Sequence, residues 1–149
     1  MNKGFSLIEV LVFVSVFSIF FIIAIAIVTL SLNNMKVSEH KILATKYAEE
    51  LREWLRAEKE IDWDSFVTKS SVSGTKYCFK APLNTWPSIG ACGINDFSGI
   101  TGNSPEIFKR EVTLTKPGNY QVNVAITVSW QEVTKTYSVP LNTTFTVWE

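Results

Sequence analysis

The chain is expected to adopt an α+β fold, with one long N-terminal helix over about residues 5–61 packed on a C-terminal antiparallel sheet of about four strands. Three observations predict this. An apolar run extends from Leu7 to Leu32 and is broken by a single charge, Glu9. Neither proline nor glycine occurs between Phe5 and Ile61. Toward the C-terminus the apolar residues alternate with polar ones, the period of a strand with one buried face.

The first half of the helix, residues 5–32, is apolar all round. It is long enough to cross a bilayer at about 1.5 Å per residue. A chain in hydrocarbon must satisfy its own backbone groups, so a helix is required there even though β-branched residues lower the intrinsic propensity. The run is too long for a secretory h-region, and no Ala-x-Ala site follows it. Lys3 precedes it and Lys36, Glu39, Lys41 and Lys46 follow, so flanking charge alone orients it only weakly.

At Asn33-Asn34 the pattern changes, and residues 33–61 become amphipathic. Leu43, Tyr47, Leu51, Trp54 and Leu55 fall on one helix face. Lys46, Glu49, Glu50, Arg52, Glu53 and Arg56 fall largely on the other. Asp62-Trp63-Asp64-Ser65-Phe66 is expected to stop the helix, because aspartate prefers caps and turns. Trp63 and Phe66 are expected to pack under that stop as core residues. Ser70-Ser71-Val72-Ser73-Gly74 reads as a turn.

Residues 62–149 then form the β domain. Thr75–Lys80 is a short strand and Phe108–Thr115 a second. Lys116-Pro117-Gly118-Asn119 is expected to turn the second into the third, since Pro-Gly favours a tight turn. In the third strand Val122, Val124, Ile126, Val128 and Trp130 share one face. In the last, Tyr137, Val139, Leu141, Phe145 and Val147 do so. Pro140 has no N–H and implies an edge position or a bulge. A sheet with one apolar face needs a cover, and the striped half of the helix supplies it. Between Lys80 and Glu106 lies a long stretch rich in Pro, Gly, Asn and Ser. Trp86, Ile89 and Phe97 argue for partial order there.

Basic and acidic residues balance at 14 each, so no overall field draws the chain to nucleic acid. Lys109-Arg110 and the nearby Lys76 and Lys80 read as solvated surface charge. Cys78 and Cys92 close a loop of about 15 residues, for which chain entropy predicts on the order of 3 kcal/mol. They are expected to pair if the domain is exported, with two free buried thiols as the alternative. A metal site is not expected, because the one histidine, His40, is far from both cysteines in sequence. Catalysis and cofactors are not expected either. There is no Gly-x-Ser-x-Gly, phosphate loop or histidine triad, and Asp62/Asp64 read as a helix stop. The five tryptophans are expected mainly in the core. Asn142-Thr143-Thr144 matches a glycosylation acceptor only by its short pattern.

Gly4-Phe5-Ser6-Leu7-Ile8-Glu9-Val10-Leu11-Val12, placed directly before the apolar span, resembles the cleavage and methylation signal of type IV pilins and pseudopilins. The helix-then-sheet layout extends the likeness over the whole chain. The last two strands are similar to those of minor pilins of the pilus-modification (PilV) type and of I-type pseudopilins. The resemblance implies a leader of residues 1–4, removed by a prepilin peptidase between Gly4 and Phe5, and methylation of the new amine of Phe5. It implies that Glu9 carries assembly by facing the N-terminus of a neighbouring subunit. The partners it implies are other pilins or pseudopilins through the N-terminal helix, an inner-membrane assembly platform and membrane lipid. It implies a single-pass protein with the N-terminus inside and the C-terminal domain outside, later placed in an extracytoplasmic filament. Many major pilins carry a kinking proline where this chain has Ala26, which favours a minor pilin or a type II secretion pseudopilin. The rival of another class is a monomeric signal-anchored binding protein with residues 82–105 as its ligand surface.

Overall fold

The computed structural model describes residues 7–94, 96–97, 107–132 and 135–148. Helix α1 spans Leu7–Ile61 and helix α2 spans Trp63–Thr68. Four strands follow: β1 (Thr75–Phe79), β2 (Phe108–Gly118), β3 (Gln121–Glu132) and β4 (Lys135–Thr146). The class is α+β, one long N-terminal helix with a four-stranded antiparallel sheet in the order β1-β2-β3-β4.

The chain divides into two units, Met1–Glu39 and His40–Glu149. In the first, the described part of α1 exposes large apolar side chains on every face from Leu7 to Leu32. Three of its hydroxyls fold back on the helix. Ser15 Oγ donates to the Val12 carbonyl at 2.8 Å, Ser18 Oγ to Val14 at 2.7 Å and Thr29 Oγ1 to Ile25 at 2.9 Å. Such bonds satisfy polar groups without water, as an apolar surrounding demands. This helix is long and apolar enough to cross a membrane.

In the second unit the striped half of α1 lies on the sheet. Tyr47, Leu51 and Leu55 are buried with Ala44 and Ala48, while Leu43 and Trp54 pack at the margin. The two alanines complete the stripe, both fully buried. From the sheet come Tyr77, Phe79, Phe108, Val112, Leu114, Val122, Val124, Ile126, Val128 and Trp130. The expected alternation holds through β3, where every second residue from Val122 to Trp130 is buried. At the start of this unit His40 Nδ1 stands 2.5 Å from Glu132 Oε1, which also accepts from Trp130 Nε1 at 3.1 Å.

Two local expectations need correction. Asp62 does stop α1, but it also caps a new helix: its Oδ1 accepts from Ser65 N at 3.0 Å. Phe66 of α2 is thereby driven into the core. The second concerns Pro117-Gly118. β2 runs on to Gly118, which pairs with Gln121, so Asn119-Tyr120 form the turn. The register slips between Thr115 and Gly118, and Lys116 N donates to Ser71 O instead, at 3.0 Å. Pro117, without an N–H, sits in that irregularity and not at the turn. Pro140 lies in β4, opposite Thr127, and β4 is an edge strand as its proline requires.

Arg110 departs furthest from its expected place on the surface. It is 1 % exposed, beneath α1, with Phe79 and Val128 beside it on the flanking strands. Its Nη1 reaches Glu50 Oε2 at 3.4 Å, while Nε and Nη2 have no acceptor among the described residues. Burial pulls the guanidinium below its ordinary value, against the opposite pull of the Glu50 carboxylate. Strand alternation explains the placement, since Phe108, Arg110, Val112 and Leu114 share the inward face. The two partners should therefore respond unequally to mutation. Arg110→Met removes two unsatisfied donors and leaves a half-exposed carboxylate, so stability should be unchanged or rise by about 1 kcal/mol. Glu50→Ala strands the buried cation and should destabilise by about 1 kcal/mol, the lower end of the usual range because Glu50 is half exposed. Amide exchange of β2 in the full chain measures both; an Arg110→Met loss as large as that of Glu50→Ala would contradict the asymmetry.

Candidate functional site

Of the residues singled out for assembly, Gly4 and Phe5 lie outside the described residues. Glu9 is described. It stands in the first turn of α1, exposed, between Ile8 and Val10. Among the described residues it has no ion-pair partner, and the next ionisable residue along the chain is Lys36. A carboxylate with apolar neighbours on all sides is unfavourable in hydrocarbon, by roughly 2–3 kcal/mol or more. The first turn offers partial relief, because the exposed N–H groups and the positive end of the helix dipole face an anion there.

Cys78 and Cys92 are joined in a disulfide, with their Cα atoms 4.9 Å apart. Cys78 is on β1, so the bridge fastens the following loop to the sheet. Other bonds reinforce it. Gly90 N donates to Lys76 O at 2.8 Å, and Cys92 N donates to Glu111 Oε2 at 3.1 Å. Lys109 Nζ donates to Gly93 O at 2.7 Å and lies over the Phe97 ring. Asp96 receives Lys80 at 2.9 Å and the Gly93 N–H at 2.7 Å; these bonds, the lysine's first, hold its carboxyl below the usual range. The loop and the end of β1 enclose an open cleft of about 520 Å³ lined by Phe79, Lys80, Pro82, Thr85, Ser88 and Asp96.

Trp86 takes part of this loop into the core. Its ring lies 5.2 Å from Trp54, 5.3 Å from Tyr77, 5.8 Å from Phe79 and 5.9 Å from Phe66. Its Nε1 donates to Glu58 Oε2 at 2.7 Å. Trp54, Trp63 and Trp130 also pack against or within the core, and Trp148 does not: it is 82 % exposed, stacked on the exposed Tyr120. Asn142 lies on β4 opposite Ala125. Among the described residues no group of three or more His, Cys, Asp or Glu side chains is arranged to hold a metal ion.

Compared with protein-family models, with curated proteins and with solved structures, the chain matches none. Its layout, a long apolar N-terminal helix followed by an antiparallel sheet, is compatible with a pilin-like protein.

Proposed function

We propose that this chain is a minor pilin subunit of a type IV pilus or related filament, processed by a prepilin peptidase and assembled through its N-terminal helix. Its role is structural: to prime assembly, occupy the tip or modify the filament, with no catalysis of its own. One observation carries the proposal. The signal Gly4-Phe5-Ser6-Leu7-Ile8-Glu9 leads directly into a helix whose apolar half contains a single carboxylate, near its start. A soluble domain has no use for that surface, and a plain membrane anchor has no use for that charge. The self-bonded hydroxyls of Ser15, Ser18 and Thr29 support a lipid or helix-bundle surrounding. The disulfide supports an oxidising compartment for the C-terminal domain. The absence of proline at Ala26 favours a minor subunit, and a type II secretion pseudopilin shares every one of these features.

Intact-mass measurement of the membrane-borne protein tests the proposal. Residues 1–4 should be missing, and Phe5 should carry one added methyl group. Gly4→Leu should remain unprocessed, since a side chain at the cut hinders the close approach of a protease. Recovery of uncut chain from cells with an active prepilin peptidase overturns the filament role in favour of an anchored binding protein.

A further inference from the structure

The β3–β4 ladder runs without a bulge from Gln121 and Thr146 to Glu132 and Lys135, and β4 has no strand on its other side. Val147 N donates to Tyr120 O at 3.3 Å in the same register. In an antiparallel pair, the residues that exchange bonds alternate along the strand. Leu141, Thr143, Phe145 and the other odd-numbered residues of β4 therefore bond to β3. The even-numbered ones, among them Ser138, Asn142, Thr144 and Thr146, turn their N–H and C=O groups away from the sheet. Pro140 falls in this second set, where its missing N–H breaks no ladder bond. Beside this edge lies a groove of about 480 Å³ lined by Arg52, Arg56 and Lys59 of α1 and by Thr143, Thr144 and Phe145 of β4. We propose that an extended, uncharged segment of a partner polypeptide lies in this groove and joins the sheet, antiparallel to β4, as a further strand.

An open edge is a template for pairing, and proteins protect one by keeping it short, charging it, bulging it or covering it. The edge at β1 is protected in this way. It is 5 residues long, Gly90 N donates to Lys76 O at 2.8 Å, and Ile89 bridges to Tyr77. The edge at β4 is not. It is 12 residues long, pairs regularly with β3, and its one charged residue, Lys135, stands at its start. Pro140 interrupts the outward donors once, and beyond it Asn142, Thr144 and Thr146 present them in an unbroken row. Among the described residues no hydrogen bond engages these outward N–H groups. The helix wall sets the chemistry of the occupant. Arg52 and Arg56 each have a glutamate of their own, at 2.6 and 3.2 Å, and Lys59 is buried and already partnered. These charges are matched, so the groove calls for no counter-charge and offers a ligand the alkyl stems of the arginines. A strand laid along β4 points every second side chain into that groove and the others onto the outer face beside Asn142, Thr144 and Thr146. Small apolar residues suit the first row. Threonine or serine suits the second, where cross-strand hydroxyl pairs add to the ladder. Main-chain bonds supply the affinity and the alternating side chains the specificity, as in strand additions generally.

The test uses the full chain in maltoside micelles, titrated with a short acetylated peptide of alternating threonine and valine that carries a polyethylene glycol tail for solubility. Its N-methylated twin keeps the side chains and lacks the backbone donors. Amide exchange at Asn142, Thr144 and Thr146 should slow by about tenfold or more with the first peptide and not with the second. Thr143 and Phe145, already bonded to β3, should not change. Thr144→Pro removes an outward N–H and no ladder bond, so binding should weaken by about tenfold. Pro140→Thr supplies the missing outward donor and should tighten binding by about threefold. If Thr144→Pro loses the amide pattern of the folded unit, Pro140→Thr decides. Undiminished binding of the methylated twin, or a Pro140→Thr affinity no higher than the parent's, overturns the proposal. So does a peptide that slows none of these amides. A second copy as the occupant would show as a dimer without peptide, with the Asn142, Thr144 and Thr146 amides protected from the outset, and that result too overturns the proposal.

Discussion

Trp86→Ala should destabilise the His40–Glu149 unit by about 3 kcal/mol, near the lower end for a large aromatic removed from a packed site. Trp86 belongs by sequence to an irregular loop, yet its ring is a shared neighbour of Trp54 on α1, Phe66 on α2 and Tyr77 and Phe79 on β1. Truncation leaves a void against four rings that belong to three separate elements, and these cannot all collapse into it at once. It also strips Glu58 Oε2 of its 2.7 Å donor. The site is partly exposed, which lets water enter and keeps the loss from reaching the upper end of the range. Amide exchange of β1 and β2 in the full chain measures the effect without interference from the apolar half of α1. Trp148→Ala is the matched control: at 82 % exposure with one stacked tyrosine as its ring partner, it should change stability by less than about 0.5 kcal/mol. Equal losses for the two tryptophans would mean that the ring cluster contributes nothing beyond bulk hydrophobicity.

This contrast marks where sequence ceases to inform. Periodicity located α1 nearly to its ends and identified the buried face of β3 and the partly buried face of β4, because burial there is enforced by a repeat that any one residue only samples. Arg110 obeys the same repeat, and the residue type concealed it: a guanidinium next to Lys109 reads as surface unless the strand parity from Phe108 to Leu114 is given precedence over charge. Trp86 follows no repeat. Its burial depends on where the loop returns, which the bond from Gly90 to Lys76 and the Cys78–Cys92 bridge determine in three dimensions. Asp62 has a short polar side chain suited both to ending one helix and to starting the next, and only the burial of Phe66 decides for a second helix. The proposed N-terminal signal is the opposite case: the resemblance rests on local residues, Gly4, Phe5 and Glu9, and the described fold adds only the long apolar helix that follows them.

Glu9→Ala should leave a stable, membrane-inserted protein that no longer enters filaments. The substitution makes the span more apolar, so insertion should persist or improve. Nothing in the folded unit depends on Glu9, whose described neighbours are exposed apolar side chains of the same helix. The requirement arises only when subunits meet. On the proposed reading, the methylated amine of Phe5 in one subunit is brought beside Glu9 of the next, and opposite charges attract far more strongly in low dielectric than in water. Removing the carboxylate leaves that ammonium without a partner in an apolar bundle, a penalty of several kcal/mol per contact. A filament repeats the contact at every step, so the loss should be close to complete and not graded. Glu9→Gln keeps size and polarity while removing the charge, and should fail likewise. Glu9→Asp keeps the charge on a shorter arm and should retain partial incorporation. Shearing followed by immunoblot, with total membrane protein as the reference, measures all three. If Glu9→Ala enters sheared filaments as well as the parent chain does, charge pairing is not what joins the subunits. If the parent chain itself never enters them, the carboxylate serves an anchored monomer, lying at the membrane interface where headgroups and water can solvate it.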